Sequence, residues 1–400
     1  MATWQKPQHD SYDIVIVGGA MMGSSTAFWL TKLGFQGRVL VVEMDPTYQA
    51  CSTAHTNSCI RQQFSNELNI RISQTTAQFI KNIREEMEDD RVPDIHFQSY
   101  GYMYLSGDPA FAATLRELAA LQRSLGAETE ILQPEEIAAR YPFYNLDGIV
   151  VGSINTKDEG YWDGGTVFEW FRRLARERGT EYCQNRVAGF RKTGARITHV
   201  VLESGDEIAC GQVVNASGPR GGATASMAGI ELPVEPRKRF TWIFSAEEPL
   251  DRELPLTIDP SGVHCRQDGP QTYLAGATPE DDPAVDPTDF SMDQDTWMEK
   301  AWPAIAHRIP AFERIKIVAE WAGHYAFNTL DQNAVMGSHP DAENFVFLNG
   351  FSGHGLQQSV PMGRGTAEWL MHGEYRSLDM SPFSIDRIVE KRPYLEKAVI

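Results

Sequence analysis

The hydrophobic pattern is clearest near the start of the chain, where two short apolar runs flank a segment with helical spacing. Ile14–Val17 and Val39–Val42 are apolar throughout, which is typical of buried parallel strands. Between them, Ser24–Leu33 repeats apolar residues along one helix face and ends before Gly34, a residue type that favours helix C-termini. The order of strand, helix and strand predicts a βαβ unit.

The turn between the first strand and this helix reads GGAMMG, which lacks only the middle glycine of the dinucleotide fingerprint G-x-G-x-x-G. Glycines let the backbone approach a pyrophosphate, and a helix N-terminus supplies free N–H groups with partial positive charge. Glu43 ends the second strand about 20 residues later, where an acid can accept hydrogen bonds from ribose hydroxyls. The pattern predicts a dinucleotide site built from Gly18, Ala20, Met21, Met22, Gly23, Glu43 and Met44.

The rest of the chain alternates between helical and extended patterns, with no internal repeat. Helices are predicted at Asn66–Glu88, Phe111–Leu125, Thr166–Glu177 and Asp293–Ile305, and from Ser352 to about Met371. Strands are predicted at Tyr102–Leu105, Gly148–Gly152, Val200–Leu202, Glu207–Ala209, Val213–Asn215, Ile315–Ala322 and Phe345–Leu348. Nucleotide-domain patterns at the start, middle and end, with mixed β sequence between them, predict an α/β protein. Its two domains would use discontinuous segments and hold a ligand at their interface.

Composition narrows the classes of partner. The 400 residues carry a formal net charge of −18, which argues against nucleic acid or an anionic membrane because both would repel the chain. No apolar run approaches the ~20 residues that span a bilayer, and the first ten residues lack the apolar core of a secretory signal. The five cysteines form no CxxC pair and no cluster with metal-ligand spacing. We therefore expect a cytoplasmic protein with reduced thiols and no metal site.

Four blocks of sequence resemble the flavin-dependent amine oxidoreductases of the D-amino-acid oxidase superfamily. This superfamily includes sarcosine oxidase, glycine oxidase and dimethylglycine dehydrogenase, and the chain is also similar to mitochondrial FAD-dependent oxidoreductase-domain proteins. The blocks are the N-terminal βαβ unit, residues 52–64 (STAHTNSCIRQQF), residues 213–218 (VVNASG) and residues 350–357 (GFSGHGLQ). Their order and spacing cover nearly the whole chain.

The resemblance implies FAD as the cofactor and a two-part architecture. A Rossmann-like FAD-binding domain, with a parallel sheet and helices, would comprise residues 1–95, 148–228 and 322–380. A substrate domain with a mixed or antiparallel sheet would comprise 96–147 and 229–321, and a C-terminal tail would occupy 381–400. The further cofactor contacts that we predict are Ser52, Thr53, His55, Val187, Ala216, Ser217, Gly218, Gly353, His354, Gly355, Leu356 and Gln357.

The candidate catalytic residues are Arg61, His354, Gln357 and Tyr325. The resemblance places at Arg61 the arginine that clamps the substrate carboxylate, a role that suits the planar guanidinium fork. Residues 352–356 would open a helix whose N-terminus stabilises the negative charge of reduced flavin. His354 faces the flavin or is a plain loop histidine. Gln357 stands where sarcosine oxidases have a lysine, so a second positive charge is missing.

Several residues keep two interpretations. His55 lies in a stretch similar to the covalent FAD attachment site of dimethylglycine dehydrogenase-type enzymes, but most relatives bind FAD without a covalent bond. Tyr325 and Trp321 would pack over the substrate or flavin, or are core aromatics. His264 and Arg266 share one strand face, either in the substrate pocket or towards solvent. Residues 273–276, which match the oxygen-activating lysine region of sarcosine oxidase, contain no lysine, which favours an electron acceptor other than O₂.

The sequence therefore predicts an FAD-dependent oxidoreductase that acts on an amine or amino acid, with O₂ or another molecule as electron acceptor. The expected reaction is hydride transfer from the carbon beside a neutral amine to flavin N5, followed by hydrolysis of the imine. The alternative is a non-catalytic flavoprotein that serves as an assembly or scaffold factor. An NAD-dependent dehydrogenase is a third possibility, which a yellow purified protein would eliminate.

Overall fold

Strands and helices alternate along the chain in the computed structural model, which describes residues 4–397. The strands are β1 Ser11–Val17, β2 Val39–Glu43, β3 Cys59–Ile60, β4 Phe97–Gln98, β5 Tyr102–Ser106, β6 Glu130–Leu132, β7 Val151–Asn155, β8 Gly160–Trp162, β9 Glu181–Gln184, β10 Val187–Thr193, β11 Arg196–Leu202, β12 Glu207–Asn215, β13 Val234–Ala246, β14 Leu256–Ile258, β15 His264–Gln267, β16 Thr272–Ala277, β17 Ile315–Asn328, β18 Val335–His339 and β19 Ala342–Asn349. The helices are α1 Met21–Lys32, α2 Glu67–Lys81, α3 Ile83–Met87, α4 Pro109–Ser124, α5 Pro134–Arg140, α6 Gly164–Glu177, α7 Gly221–Met227, α8 Trp302–Arg308, α9 Gly355–His372 and α10 Asp386–Val389.

The first sheet has the predicted βαβ unit at its centre. Within residues 4–397 it joins eight strands, in the order β10-β11-β12-β1-β2-β9, with β19 beside β12 and β18 beside β19. Strand β1 pairs in parallel with both β2 and β12. The pairs β10–β11, β11–β12 and β18–β19 are antiparallel, and the others are parallel. Val15 and Ile16 are fully buried, because the parallel part of the sheet is covered on both faces. Helix α1 packs against α6 and α9 on one of those faces.

The second sheet covers the site. Its strands follow the order β17-β13-β16-β15-β14-β5-β7-β6 within the described residues, and its pairs are antiparallel except for β14 with β5. Trp242, Phe244 and Tyr273 project from one face into a core that also includes Trp297 and Phe312. The opposite face is therefore free to carry the residues that line a ligand site.

The predicted elements are present, with differences at a few boundaries. The long helix predicted at Asn66–Glu88 divides into α2 and α3 at Asn82, whose ψ of 30° is not helical. The helix predicted at Asp293–Ile305 begins instead as a π-helical turn, Thr296–Ala301, before α8. Pro303 has no N–H for an α-helical bond to residue 299, which accounts for the irregular turn.

The sheets also divide the chain differently from the predicted domains in two places. Strand β7 pairs with β5 and β6 in the second sheet, although we predicted residues 148–228 as part of the FAD-binding domain. Strand β17 pairs with β13 along almost its whole length, so a boundary at residue 322 would cut a continuous strand. Pairing between distant strands, which the local sequence pattern does not show, sets both boundaries.

The predicted C-terminal tail packs back onto the molecule over residues 381–397. Arg387 and Asp331 form an ion pair (Nε–Oδ2 2.7 Å) in which both side chains are buried. The Glu396 carboxylate accepts hydrogen bonds from Ser65 and Asn66 at the N-terminus of α2. Residues 1–3 and 398–400, which belong to the predicted first domain and tail, lie outside the described residues. Within the described part of the chain, no helix combines the length and apolarity that a membrane span requires.

Candidate functional site

A cavity of about 570 Å³ lies between the two sheets, within the usual range for a ligand pocket. It is lined by the GGAMMG loop, the end of β2, residues 50–61 and the N-terminus of α9 from one side, and by strands of the second sheet from the other. The second sheet contributes Tyr102, Arg239, Thr241, Leu256, His264, Gly323 and Tyr325. Every predicted catalytic and cofactor-binding residue except Gly23 lines this cavity.

Two glycines of the loop have no room for a side chain. A Cβ on Gly18 would lie 2.6 Å from the carbonyl oxygen of Ala216, and the φ of Gly18 is +96°, which other residues rarely adopt. A Cβ on Gly23 would lie 1.9 Å from the carbonyl oxygen of Gly18. Gly23 therefore does not face the ligand. It lets α1 pack closely against the end of β1, as expected of the third glycine of the fingerprint.

Helix α1 begins at this loop with an uncapped N-terminus. Ala20, the N-cap residue, provides no side-chain hydrogen bond, and the N–H of Met21 donates to Thr53 Oγ1 (3.3 Å). The next amides of the first turn have no intrahelical acceptor, and Met22 lines the cavity. These groups and the positive end of the helix dipole suit the pyrophosphate of a dinucleotide.

Glu43 holds the loop in place from the end of β2. Its carboxylate accepts hydrogen bonds from the N–H groups of Gly19 (2.8 Å) and Asp45 (2.8 Å). Burial raises the pKa of Glu43, and these two bonds oppose the shift because they favour the ionised form. A carboxylate has about four lone-pair positions, so acceptor capacity is left for ribose hydroxyls.

The second uncapped helix, α9, begins at the other part of the cavity. His354 is its N-cap residue and makes no side-chain capping bond. Ser352 and Gly353 both have positive φ values, 47° and 96°. The Ser352 hydroxyl accepts a bond from the N–H of Asn328 (2.9 Å), so β17 holds this turn. The first amides of α9 are left for a ligand.

The cavity therefore fits FAD by two observations on the chain itself. The approach of Gly18 to Ala216 leaves a cradle that a Cβ would fill, and two uncapped helix N-termini border the same cavity. One end suits a pyrophosphate, and the other suits the electron-rich edge of a reduced ring system. Thr53, Val187 and Ser217 lie along the wall between and beside them.

Arg61 is buried at the cavity wall, with 2% of its surface exposed. One terminal nitrogen donates to the carbonyl oxygen of Gln63 (3.0 Å) and to the hydroxyl of Tyr104. The other lies 2.9 Å from His354 Nε2. The guanidinium also lies over the ring of Phe64, 4.1 Å from its centroid. Its orientation is therefore fixed before any ligand binds.

This contact defines the state of His354. An arginine only donates hydrogen bonds, so His354 Nε2 is the acceptor and the proton of the neutral ring is on Nδ1. Burial, together with the charge of Arg61, lowers the pKa of His354 to about 3. At neutral pH, His354 is thus an uncharged N–H donor beside the N-terminus of α9.

The other two candidate catalytic residues have different surroundings. Gln357 accepts a bond from the backbone N–H of Arg61 (2.9 Å) through Oε1, so its side chain links α9 to the segment that carries the arginine. Tyr325 packs over Gly353, whose added Cβ would lie 2.4 Å from the phenol ring. The Arg239 guanidinium lies 4.7 Å from the centre of the Tyr325 ring. Trp321 is outside the cavity lining.

His55 lines the cavity and keeps both interpretations. Its Nδ1 donates to the carbonyl oxygen of Cys51 (3.1 Å). The ring packs against Phe290, with centroids 5.1 Å apart. A plain contact with the cofactor stays our prediction, and acid precipitation tests it because only covalent flavin stays with the pellet.

His264 and Arg266 are not on a solvated strand face. His264 lines the cavity and contacts Asn57, while Arg266 is 3% exposed and donates to the backbone oxygen of Asn57 (3.0 Å). Arg266 also lies over the ring of Tyr161. The pocket-facing interpretation therefore applies to His264, and Arg266 supports the loop that His264 contacts.

Sequence reasoning missed Glu159, a buried acid beneath the arginine. Its carboxylate accepts hydrogen bonds from Gln62 N (2.7 Å), Gln63 Nε2 (3.0 Å) and Asn155 Nδ2 (2.9 Å). Burial raises its pKa to about 8, while these donors favour the ionised form. Its role is to fix the 61–63 segment. The sequence offers no local signal, because Glu159 is almost 100 residues from Gln62 and Gln63.

A loop over the cavity was also missed. Asp282 pairs with both terminal nitrogens of Arg239 (2.7 and 2.9 Å), and Asp289 pairs with Lys238 (2.7 Å). These contacts hold residues 278–292 against β13. The cations at positions 237–239 and the acids at 282 and 289 are visible in the sequence. Their pairing across more than 40 residues cannot be predicted without knowledge of the fold.

A dinucleotide cradle, a second uncapped helix and a covering sheet define an FAD-binding oxidoreductase. The chain belongs to the DAO family of FAD dependent oxidoreductases, whose profile it matches over residues 13–369. This confirms the predicted family, the fold class and FAD as the cofactor. The family is related to amino-acid oxidases.

Two similar proteins and one similar crystal structure illustrate this relationship. It is 37% identical to FAD-dependent oxidoreductase domain-containing protein 1 of Xenopus laevis, over 97% of this chain and 85% of that protein. It is 23% identical to mitochondrial sarcosine dehydrogenase of Homo sapiens, over 96% of this chain and 42% of that protein. The crystal structure of L-proline dehydrogenase from P. horikoshii superposes with a TM-score of 0.81 at 26% identity, covering 95% of this chain and 98% of that one.

Proposed function

We propose that this protein oxidises a C–N bond of an amino acid or an N-alkyl amino acid, of the sarcosine, glycine or D-amino-acid type. The observation that carries the proposal is that Arg61 and His354 line the same cavity as the dinucleotide loop. An enzyme of this kind needs an anchor for the substrate acid group beside the electron acceptor, and a buried guanidinium supplies it.

Bound FAD would supply a two-electron acceptor for the hydride that leaves the substrate carbon. The loop at 18–22 and Glu43 would hold its dinucleotide part, and residues 353–357 would hold its ring. The chain's own contribution to rate is then the position of the substrate relative to that ring. Proximity and orientation are among the largest contributions that a binding site makes.

Arg61 would fix the substrate through its carboxylate. Its contacts with Gln63, Tyr104 and His354 fix the orientation of the guanidinium before a ligand binds. Little side-chain entropy is therefore lost on binding. Burial of the arginine strengthens its attraction for an anion because water does not screen the pair. Tyr102 and Tyr325 would close the pocket from the second sheet.

Neither Arg61 nor His354 can serve as a general base at neutral pH. His354 is neutral because its pKa is about 3, and Arg61 does not lose its proton. The substrate amine must therefore release its own proton before the hydride leaves, and a dedicated base is unnecessary. The resulting imine would react with water to give a carbonyl product and the free amine.

Anaerobic mixing of the yellow holoprotein with a panel of amines tests this function. We expect stoichiometric bleaching by amines that carry a carboxylate, and little bleaching by the matched amines without one. A bound flavin that no member of the panel reduces would instead favour the non-catalytic assembly role. Reoxidation rates under O₂ and with artificial acceptors then separate an oxidase from a dehydrogenase, and the missing lysine at 273–276 favours the dehydrogenase.

A further inference from the structure

The cavity has a second polar group on the substrate-side sheet, which the proposed reaction does not use. His264 Nε2 lies 2.8 Å from Asn57 Nδ2, and Asn57 Oδ1 accepts a bond from the hydroxyl of Thr241 (3.1 Å). Asn57 comes from the loop on the FAD side, whereas His264 and Thr241 come from β15 and β13. A fixed imidazole thus faces a cavity that both sheets enclose.

The contact with Asn57 sets the tautomer of His264. With the amide oxygen on Thr241, the amide nitrogen donates to His264 Nε2, and the ring proton is on Nδ1. No group among residues 4–397 forms a hydrogen bond with this Nδ1. Burial, together with the charge of Arg266, lowers the pKa of His264 to about 4. His264 is therefore a neutral N–H donor at the wall of the cavity.

The position of His264 is rigid for a second reason. A Cβ on Gly276 would lie 2.2 Å from His264 Nε2, so the imidazole lies directly on the backbone of the neighbouring strand. Arg266 holds the backbone of Asn57 from the other side of the loop. A donor that is bonded to Asn57 and packed against Gly276 loses little freedom when it binds an acceptor.

The sheet register places His264 relative to Tyr104, a hydrogen-bond partner of the arginine. Tyr104 on β5 pairs with Ile258 on β14, which pairs with His264 on β15. Two strand spacings of 4.7–4.9 Å put the Cα of His264 about 10 Å from the Cα of Tyr104 along the sheet. The Tyr104 hydroxyl is bonded to Arg61. The two recognition groups are thus held by strands two spacings apart, which suits a ligand longer than glycine.

We propose that the site binds amino acids with a second carboxylate, with one acid group at Arg61 and the other at His264. This inference rests on the proposed function and names its substrate class. The apolar surface of Leu256 between the tyrosine and histidine strands suits the methylene groups that join the two acids. A neutral donor at His264 adds a bond to the second carboxylate without a second buried cation.

Two non-reactive acids of equal length test the proposal in the purified holoprotein. Glutarate and valerate each have five carbons and differ in the second carboxylate. Their binding is followed by the change in the absorbance of the bound flavin or by calorimetry. We expect glutarate to bind at least about tenfold more tightly than valerate, as for a hydrogen bond to a charged group.

Variants of His264 separate this contact from general damage to the cavity. His264→Ala should weaken glutarate binding about tenfold and leave valerate binding unchanged. His264→Gln, which keeps a neutral N–H donor, should recover part of the preference. His96→Ala, at an exposed histidine, serves as the control and should bind both acids as the wild type does.

Equal affinities of the wild type for the two acids would overturn the proposal, as would a preference for glutarate that survives His264→Ala. Neither result requires turnover. If glutarate binds tightly but no amine reduces the flavin, the proposed oxidation fails while the two-acid site stands. If amines reduce the flavin but the two acids bind equally, the oxidation stands and the substrate class proposed here is wrong.

Discussion

The two ends of the cavity are built in different ways. At the dinucleotide end, one segment of 26 residues, from Gly18 to Glu43, supplies the turn, the helix N-terminus and the acid, mostly through backbone groups. At the end where we propose that the substrate binds (the substrate end), Arg61, His264 and Tyr325 come from three distant parts of the chain and line the cavity with their side chains. Substitutions should therefore damage the dinucleotide end by steric exclusion, whereas at the substrate end they should remove individual contacts.

The largest effect is expected at Gly23, where the backbone has no room for a methyl group. Gly23→Ala would place a Cβ 1.9 Å from the Gly18 carbonyl oxygen, so α1 must move away from β1. We expect a loss of about 3 kcal/mol or more in stability, at the upper end of overpacking effects, and a protein purified without flavin. Flavin absorbance per protein and urea unfolding measure both quantities.

A matched control for Gly23 is Gly189 on β10, which has open space around its Cβ position and no positive φ. Gly189→Ala should change stability by less than about 0.5 kcal/mol and leave the flavin content intact. If Gly23→Ala behaves like Gly189→Ala, the close packing of the loop is not needed for FAD binding.

The next largest effect is expected at Arg61. Arg61→Ala should weaken the binding of a carboxylate-bearing substrate by about 2–5 kcal/mol, the range for removal of one partner of a buried charge pair. Arg61→Lys should recover only part of this, because lysine has no planar fork. The substrate dependence of anaerobic flavin reduction measures the loss, and flavin content should not change. Wild-type affinity in Arg61→Ala would make Arg61 structural.

A smaller effect is expected at Glu43. Glu43→Ala removes the acceptor of the Gly19 and Asp45 amides and the acceptor that we propose for the ribose hydroxyls. FAD binding should weaken by about 1.5–3 kcal/mol, as for hydrogen bonds to a charged group. The FAD affinity of Glu43→Gln, which keeps one acceptor oxygen, should lie between those of the wild type and Glu43→Ala. Full flavin content in Glu43→Ala after extensive dialysis would contradict the role given to this acid.

The smallest effect is a pH dependence of stability at the substrate end. The pKa values of His264 and His354 are about 4 and about 3, below the unfolded value of about 6.5. As the pH falls from 6.5 to 4, the unfolded chain binds protons that the folded chain does not, so stability falls. Each histidine contributes up to about 1 kcal/mol per pH unit.

The difference between wild type and His264→Gln in urea midpoints at pH 7, 6 and 5 measures this contribution. The wild type should lose stability more steeply on acidification, because the variant lacks one of the two histidines. Parallel curves for the two proteins would show that His264 titrates in the folded state at its ordinary pKa.

The contrast between the two ends also explains what the sequence could predict. The βαβ unit, the loop and Glu43 lie within one short stretch, so spacing alone indicates their contacts. The residues that we predicted as cofactor contacts line one cavity. The exception is Gly23, which lets α1 pack closely against the end of β1. The turn at 352–356 was predictable for the same reason, since a strand, two glycines and a helix follow each other directly.

The contacts of the substrate end could not be predicted in this way. Asn57 and His264 are 207 residues apart, and their contact depends on how β15 lies in the second sheet. Glu159 reaches the Arg61 segment only because β8 pairs with β3. The burial of Arg266 depends on the loop that carries Asn57, because Arg266 donates to the backbone oxygen of Asn57. The local sequence pattern gives the residue types, but the register of the sheets decides which residues contact each other.

The most direct test of the central claim is an anaerobic single turnover with a substrate that carries deuterium on the carbon beside nitrogen. We predict that flavin reduction slows clearly with the deuterated substrate, that one carbonyl product forms per flavin reduced, and that the rate rises with pH as the amine loses its proton. Flavin reduction without a carbonyl product, or at the same rate with both isotopes under conditions where reduction itself is observed, would contradict C–N oxidation at this site.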